Sequence, residues 1–145
     1  LHQTRCELKM AILFKTTEET EQYGATLYRS LGKSRLVFLT GDLGAGKTTL
    51  VRGVLRSLGY QGIVKSPTYT LVEEYHVSGV TIVHFDLYRV KDPEELEWIG
   101  IRDYLQQDSY CFIEWPEMGF GYLPKPDFHL KLSSGSAGHS LEICS

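Results

Sequence analysis

Cysteine is scarce in this chain of 145 residues: it has three, Cys6, Cys111 and Cys144, odd in number and far apart. They make no disulfide framework, and without a Cys-x-x-Cys pair they offer no zinc site. The expected setting is reducing and cytoplasmic. No apolar run approaches the ~18–20 residues of a membrane-spanning helix. The stretch Leu1 to Lys9 lacks the apolar centre of a secretory signal. Basic residues are not in surplus, because 15 Lys and Arg stand against 18 Asp and Glu, for a net charge of −3. A broad non-specific nucleic-acid surface wants the opposite balance. A protein partner that handles nucleic acid is compatible with it. Repeats, low-complexity tracts and long linkers are also missing.

What is present is an ordinary globular composition, 42 % hydrophobic and 12 % aromatic. A chain near 150 residues buries roughly 68–70 % of its unfolded surface, enough for a core without covalent staples. One domain over 1–145 is expected, with residues 1–9 read as non-native or disordered and Met10 as a candidate native start.

Local patterns alternate between helix and strand. Thr16 and Glu19 have capping-box spacing, Tyr23, Leu27 and Leu31 share one face, and Gly32 sits where a helix stops. Arg35 to Thr40 reads as a buried strand. Leu50, Val54 and Leu58 then repeat with helical period before Gly59. Thr70–Tyr75 and Val80–Phe85 read as strands joined at Ser78-Gly79. Asp92-Pro93-Glu94-Glu95 predicts a helix start with Asp92 as cap, Gly100 its end, and Ile101–Leu105 a short turn. Tyr110–Ile113 is a short apolar strand. Phe128–Leu132 and Ser140–Cys144 close the chain as a hairpin across Ser133–His139. The fold class expected is α/β, a mixed parallel and antiparallel sheet flanked by helices.

One segment carries chemistry. Gly41-Asp42-Leu43-Gly44-Ala45-Gly46-Lys47-Thr48 fits G-x-x-x-x-G-K-[ST] in full, with a strand before it and an amphipathic helix after. Glycines let successive amides turn inward, and the helix N-terminus adds to an anion cradle. Lys47 brings a mobile charge to the β- and γ-phosphates, and the Thr48 hydroxyl is a hard oxygen for Mg²⁺. A chain of this size meets the pattern by accident at roughly 0.5 %.

Hydrolysis needs more than a cradle. A carboxylate at the end of a neighbouring strand is required for the metal, and a water must be positioned. Glu114 and Asp86 each follow a strand and qualify. Glutamate rather than aspartate at the first position is unusual for such a site. In Ser66-Pro67-Thr68-Tyr69-Thr70, a loop between the helix and the next strand, Thr68 and Thr70 offer hydroxyls of the kind that sense a γ-phosphate in switch proteins. No Asn-Lys-x-Asp motif reads guanine, which favours ATP over GTP. His84 with Asp86 forms a His-x-Asp pair that fits either a metal or plain strand alternation, and alternation is preferred.

Together these elements resemble the TsaE family (also called YjeE), from about Phe14 to Asp127. The resemblance rests on residues 41–49, Lys65-Ser66-Pro67-Thr68-Tyr69-Thr70-Leu71-Val72-Glu73, His84-Phe85-Asp86-Leu87-Tyr88-Arg89, residues 92–97 and Ile113-Glu114-Trp115-Pro116-Glu117. It implies a P-loop ATPase with ATP and Mg²⁺, slow intrinsic hydrolysis, and a place in forming threonylcarbamoyladenosine beside the anticodon of tRNA. It also implies TsaD-like and TsaB-like partners, with tRNA met only through the complex. By the resemblance Thr49 contacts phosphate, Glu114 is a Mg²⁺ ligand and Asp86 serves hydrolysis. Trp115 and Glu117 lie beside the nucleotide, Thr17 lies on the adenine side, and Gly138 with His139 borders the base. Two rivals are weighed: a small-molecule kinase, and an ATP-sensing module whose turnover is incidental. No inserted segment carries the arginine cluster a kinase uses on a second substrate. Arg89 and Arg102 are candidate arginine fingers, Arg102 reading more simply as a solvated surface residue.

Overall fold

The computed structural model describes residues 8–42 and 45–144. Strand β1 (Leu8–Phe14) leads into helix α1 (Thr17–Leu31), then β2 (Leu36–Thr40) and α2 (Lys47–Ser57). A hairpin of β3 (Val72–Val77) and β4 (Val80–Asp86) follows, then the short helices α3 (Glu95–Trp98) and α4 (Ile101–Gln106). The chain finishes with β5 (Tyr110–Glu114), a 3₁₀ turn at Pro116–Gly119, β6 (Phe128–Gly135) and β7 (Gly138–Cys144).

The seven strands form one sheet in the order β1-β7-β6-β2-β5-β4-β3. Its middle, β6-β2-β5-β4, is parallel, and both margins are antiparallel. This is the mixed α/β sheet expected. The central strands β2 and β5 read as near-continuous apolar runs because both faces are covered. Alternate residues of β4 serve opposite clusters: Ile82 joins Val37, Leu39, Phe112 and the helix residues Leu27, Leu50 and Val54. Val83 and Phe85 join Leu96, Ile101 and Ile113 on the other face.

α1 begins where its capping box predicts. The Thr16 Oγ1 accepts from the Glu19 amide at 3.1 Å, and the Glu19 carboxylate accepts from the Thr16 amide at 3.0 Å. α1 lies close against α2 because Gly24 faces Gly53. A Cβ on Gly24 would collide with the Gly53 backbone, and one on Gly53 with the Glu21 carbonyl.

The structure departs from the sequence reading in four places. Leu8 and Lys9 are not disordered but belong to β1, which pairs with β7; residues 1–7 lie outside the described residues. The final hairpin is tighter than expected, with Gly135 opposite Gly138, because pairing continues beyond Leu132. Asp92 does accept from the Glu94 amide at 2.9 Å, but regular helix starts only at Glu95, with Glu94 and not Asp92 at its cap position; it stops before Gly100, at φ 75°, as expected. Cys111 is a buried free thiol, as a core residue should be, whereas Cys144 is disulfide-bonded, against the expectation that no cysteine pairs.

Candidate functional site

The ends of the parallel strands and the start of α2 converge on one cleft of ≈ 300 Å³, the lower end of the range for small-ligand sites. Thr17, Gly46, Lys47, Thr48, Thr49, Ser66, Thr68, Asp86, Glu114 and His139 line it. Register explains the meeting of residues far apart in sequence. Glu114 on β5 is paired with Leu39 of β2 on one side and with Asp86 of β4 on the other. Paired residues share a face, so both strand-end carboxylates point to the side where α2 begins.

Gly46 precedes α2 with φ 100°, a conformation that a side chain disfavours, and so turns the chain into the helix. Lys47, only 4 % exposed, donates to the Gly41 carbonyl at 2.5 Å, and its Nζ lies 4.4 Å from the centroid of the Trp115 ring. Its nearest carboxylate oxygen is Glu114 Oε1, at 4.0 Å. Burial pulls the Lys47 ammonium below the usual lysine range, against the opposing pull of Glu114, Asp86, Glu117 and Asp42. An ammonium desolvated this far, beside an open cleft, gains strongly from an anion placed there.

Two hydrogen-bonded groups flank it. Thr48 Oγ1 donates to Glu114 Oε2 at 3.2 Å, and His84 Nε2 approaches the same oxygen at 2.6 Å. Opposite, Thr68 Oγ1 donates to Asp86 Oδ2 at 2.9 Å and stands 2.8 Å from Ser66 Oγ. The Tyr88 amide holds Asp86 Oδ1 at 2.9 Å. Leu71, at the end of this loop, has φ 74°, a strained value for a branched residue, and it is held by hydrogen bonds to Pro67 and Asp86.

The donor set fits Mg²⁺ bound together with a phosphate. Thr48 and Glu114 supply hard oxygens side by side, and Mg²⁺ keeps waters and phosphate oxygens for the rest of its shell. Among the described residues there is no group of three or more His, Cys, Asp or Glu that could hold a metal ion by itself.

Most of the residues singled out in the sequence meet here: Thr17, Gly46, Lys47, Thr48, Thr49, Thr68, Asp86 and Glu114. Leu43 and Gly44 lie outside the described residues. Asp42 and Ala45 shape the approach through the turn bond from the Ala45 amide to the Asp42 carbonyl, without lining the cleft. Trp115, at φ 56°, packs behind Lys47 and against Tyr88, and Glu117 is exposed on the 3₁₀ turn; neither is among the residues that line the cleft. At the C-terminal hairpin it is His139 that reaches the cleft. Gly138 does not line it; a Cβ there would collide with the Phe14 carbonyl. His84 and Ser66 had no assigned role in the sequence, and no spacing rule could have joined His84 to Glu114.

The family model described as "Threonylcarbamoyl adenosine biosynthesis protein TsaE" matches residues 14–141. The chain belongs to the TsaE family. Among TsaE relatives, the tRNA threonylcarbamoyladenosine biosynthesis protein TsaE of Haemophilus influenzae is 57 % identical over 77 % of this chain and 70 % of its own. That of Synechocystis is 37 % identical over 77 % of this chain and 73 % of its own. The crystal structure of Bacillus subtilis YdiB superposes with a TM-score of 0.77, covering 97 % of this chain and 88 % of that one at 26 % identity. Proteins of the TsaE family take part in tRNA threonylcarbamoyladenosine biosynthesis, and this chain carries their fold. No helix among the described residues is long and apolar enough to cross a membrane.

Proposed function

We propose that this TsaE-family chain is a Mg²⁺-dependent ATPase, an accessory subunit of the complex that forms threonylcarbamoyladenosine in tRNA, and that it works in the cytoplasm with TsaD-like and TsaB-like partners. The observation that supports it best is the cleft itself: Lys47 and Thr48, at the start of α2, lie 4.0 and 3.2 Å from the Glu114 carboxylate, and the Thr68–Asp86 pair lines the same cleft.

In this reading the amides around Gly46 and the start of α2 hold the triphosphate, and Lys47 exchanges the Gly41 carbonyl for phosphate oxygens. Thr48 and Glu114 hold Mg²⁺, which when bound offsets the charge on the β- and γ-phosphates. Asp86 orients the attacking water, and Thr68 reports the γ-phosphate by leaving Asp86 for it. The base lies on the Thr17 and His139 side. With little enclosure beyond the phosphates, intrinsic turnover is slow, and partner contact completes the site.

Calorimetry and phosphate release test this together. The wild type is expected to bind ATP and release phosphate without any acceptor, faster once TsaD-like and TsaB-like proteins are added. Lys47→Ala is expected to lose tight binding. Unchanged ATP affinity in Lys47→Ala would remove the reading, and stoichiometric phosphorylation of a metabolite would replace it with a kinase.

A further inference from the structure

His84 takes no part in the scheme above, yet it makes the shortest contact between two side chains at the site, 2.6 Å to Glu114. It lies on β4 two residues before Asp86, so both point to the same face. Its ring is 0 % exposed, Nε2 stands 2.6 Å from Glu114 Oε2, and Nδ1 has no hydrogen-bond partner among the described residues. A buried imidazole with one orphaned nitrogen is a costly way to fill space beside Ile82 and Phe112, where an apolar side chain would pack without penalty.

The contact explains the imidazole. With its proton on Nε2, the ring donates a charge-assisted hydrogen bond to the carboxylate and leaves only a lone pair unpaired at Nδ1. Glu114 Oε2 is then fixed from two sides, by His84 Nε2 and Thr48 Oγ1, while Oε1 faces Lys47 at 4.0 Å. A glutamate has one more rotatable bond than the aspartate that sites of this kind usually carry. An anchor on one oxygen removes that freedom. We infer that His84 is a positioning residue: by donating from Nε2 to Glu114 Oε2 it locks the long carboxylate so that Oε1 is presented to the cation that accompanies the nucleotide.

This rests on the proposed role of Glu114, and the test separates the two. Affinity for a non-hydrolysable ATP analogue is measured by calorimetry with Mg²⁺ and with EDTA in the wild type, His84→Leu and His84→Gln. The wild type is expected to bind more tightly with Mg²⁺. His84→Leu is expected to bind like the wild type in EDTA but to lose roughly tenfold or more of the Mg²⁺-dependent gain, as outer ligands of metal sites do. His84→Gln, whose amide nitrogen can stand where Nε2 stands, restores the gain to within about threefold. A full Mg²⁺ gain in a folded His84→Leu overturns the inference and leaves the ATPase reading intact. A wild type that binds no nucleotide overturns both. Nitrogen-15 spectra of wild-type His84 supply a check that needs no variant: the proton is expected on Nε2 with Nδ1 bare, and a proton on Nδ1 instead overturns the donation.

Discussion

Asp86 is 2 % exposed, and each of its carboxylate oxygens already accepts a hydrogen bond, from Thr68 Oγ1 and from the Tyr88 amide. The bond from the Tyr88 main chain keeps the carboxylate aimed even when Thr68 turns to a phosphate, which suits the proposed task of aiming a water. Asparagine can keep both partners, its oxygen toward the amide and its nitrogen toward the threonine hydroxyl, and loses only the charge. Asp86→Asn is therefore expected to hold ATP within about threefold of the wild type, since the proposed scheme has Lys47 and the start of α2 grip the phosphates. Turnover should fall roughly 100-fold, the lower range for a lost general base. Calorimetry and steady-state phosphate release on one preparation decide it; affinity and turnover lost in parallel would show that Asp86 acts through binding. Asp86 and Glu114 were visible beforehand because a carboxylate closing an apolar strand is a local pattern. The His84 contact was not, because it spans 30 residues and two strands that only the sheet order brings together.

At the level of elements, the approach of α1 to α2 carries Thr17 to the cleft. It depends on Gly24 and Gly53, each lying where a Cβ would enter the other helix's backbone. By intrinsic propensity alone, alanine in place of Gly53 should favour α2 by about 1 kcal/mol. Overpacking against backbone, which cannot rotate away, costs about 1–3 kcal/mol and opposes it. The steric effect is expected to win. Gly53→Ala should unfold at lower denaturant and weaken ATP binding by moving Thr17 away, as equilibrium urea melts and calorimetry can measure. A stabilised variant with intact binding would show that the helices have room to separate. Neither glycine was recognised as an interface in the sequence, where each reads as a weak point in a helix. The capping box at Thr16, the stop at Gly32 and the turn at Ser78-Gly79 were legible because neighbours in sequence make them. Strand β1 was not, because its partner is the far end of the chain, with Phe14 opposite His139. Of the two hairpin residues expected at the site, Gly138 and His139, it is His139 that lines the cleft.

Across the whole molecule, β6 joins the parallel middle of the sheet to its antiparallel margin, with β2 on one side and β7 on the other. His129 sits within it, its Nε2 3.1 Å from Thr40 Oγ1 and its Nδ1 without a partner among the described residues. Burial lowers its pKa from the ordinary value near 6.5; Glu117 pulls upward and Lys131 adds to the lowering. A histidine lowered by folding is neutral in the native state where the unfolded chain already binds a proton. Between its folded pKa and 6.5 the unfolded state therefore holds more protons, and stability is lost as pH falls through that window. Above it the effect vanishes. The slope from one such group is at most about 1.4 kcal/mol per pH unit. Because β6 cannot leave without parting the two halves of the sheet, the loss should appear as a fall in global unfolding stability. The wild type is expected to be less stable to urea at pH 5.5 than at pH 7.5. His129→Gln, which can still bond Thr40 but does not titrate, should show a smaller difference between the two. The comparison of differences cancels the other histidines, and equal differences in the two proteins would mean that His129 takes up its proton without disturbing the sheet.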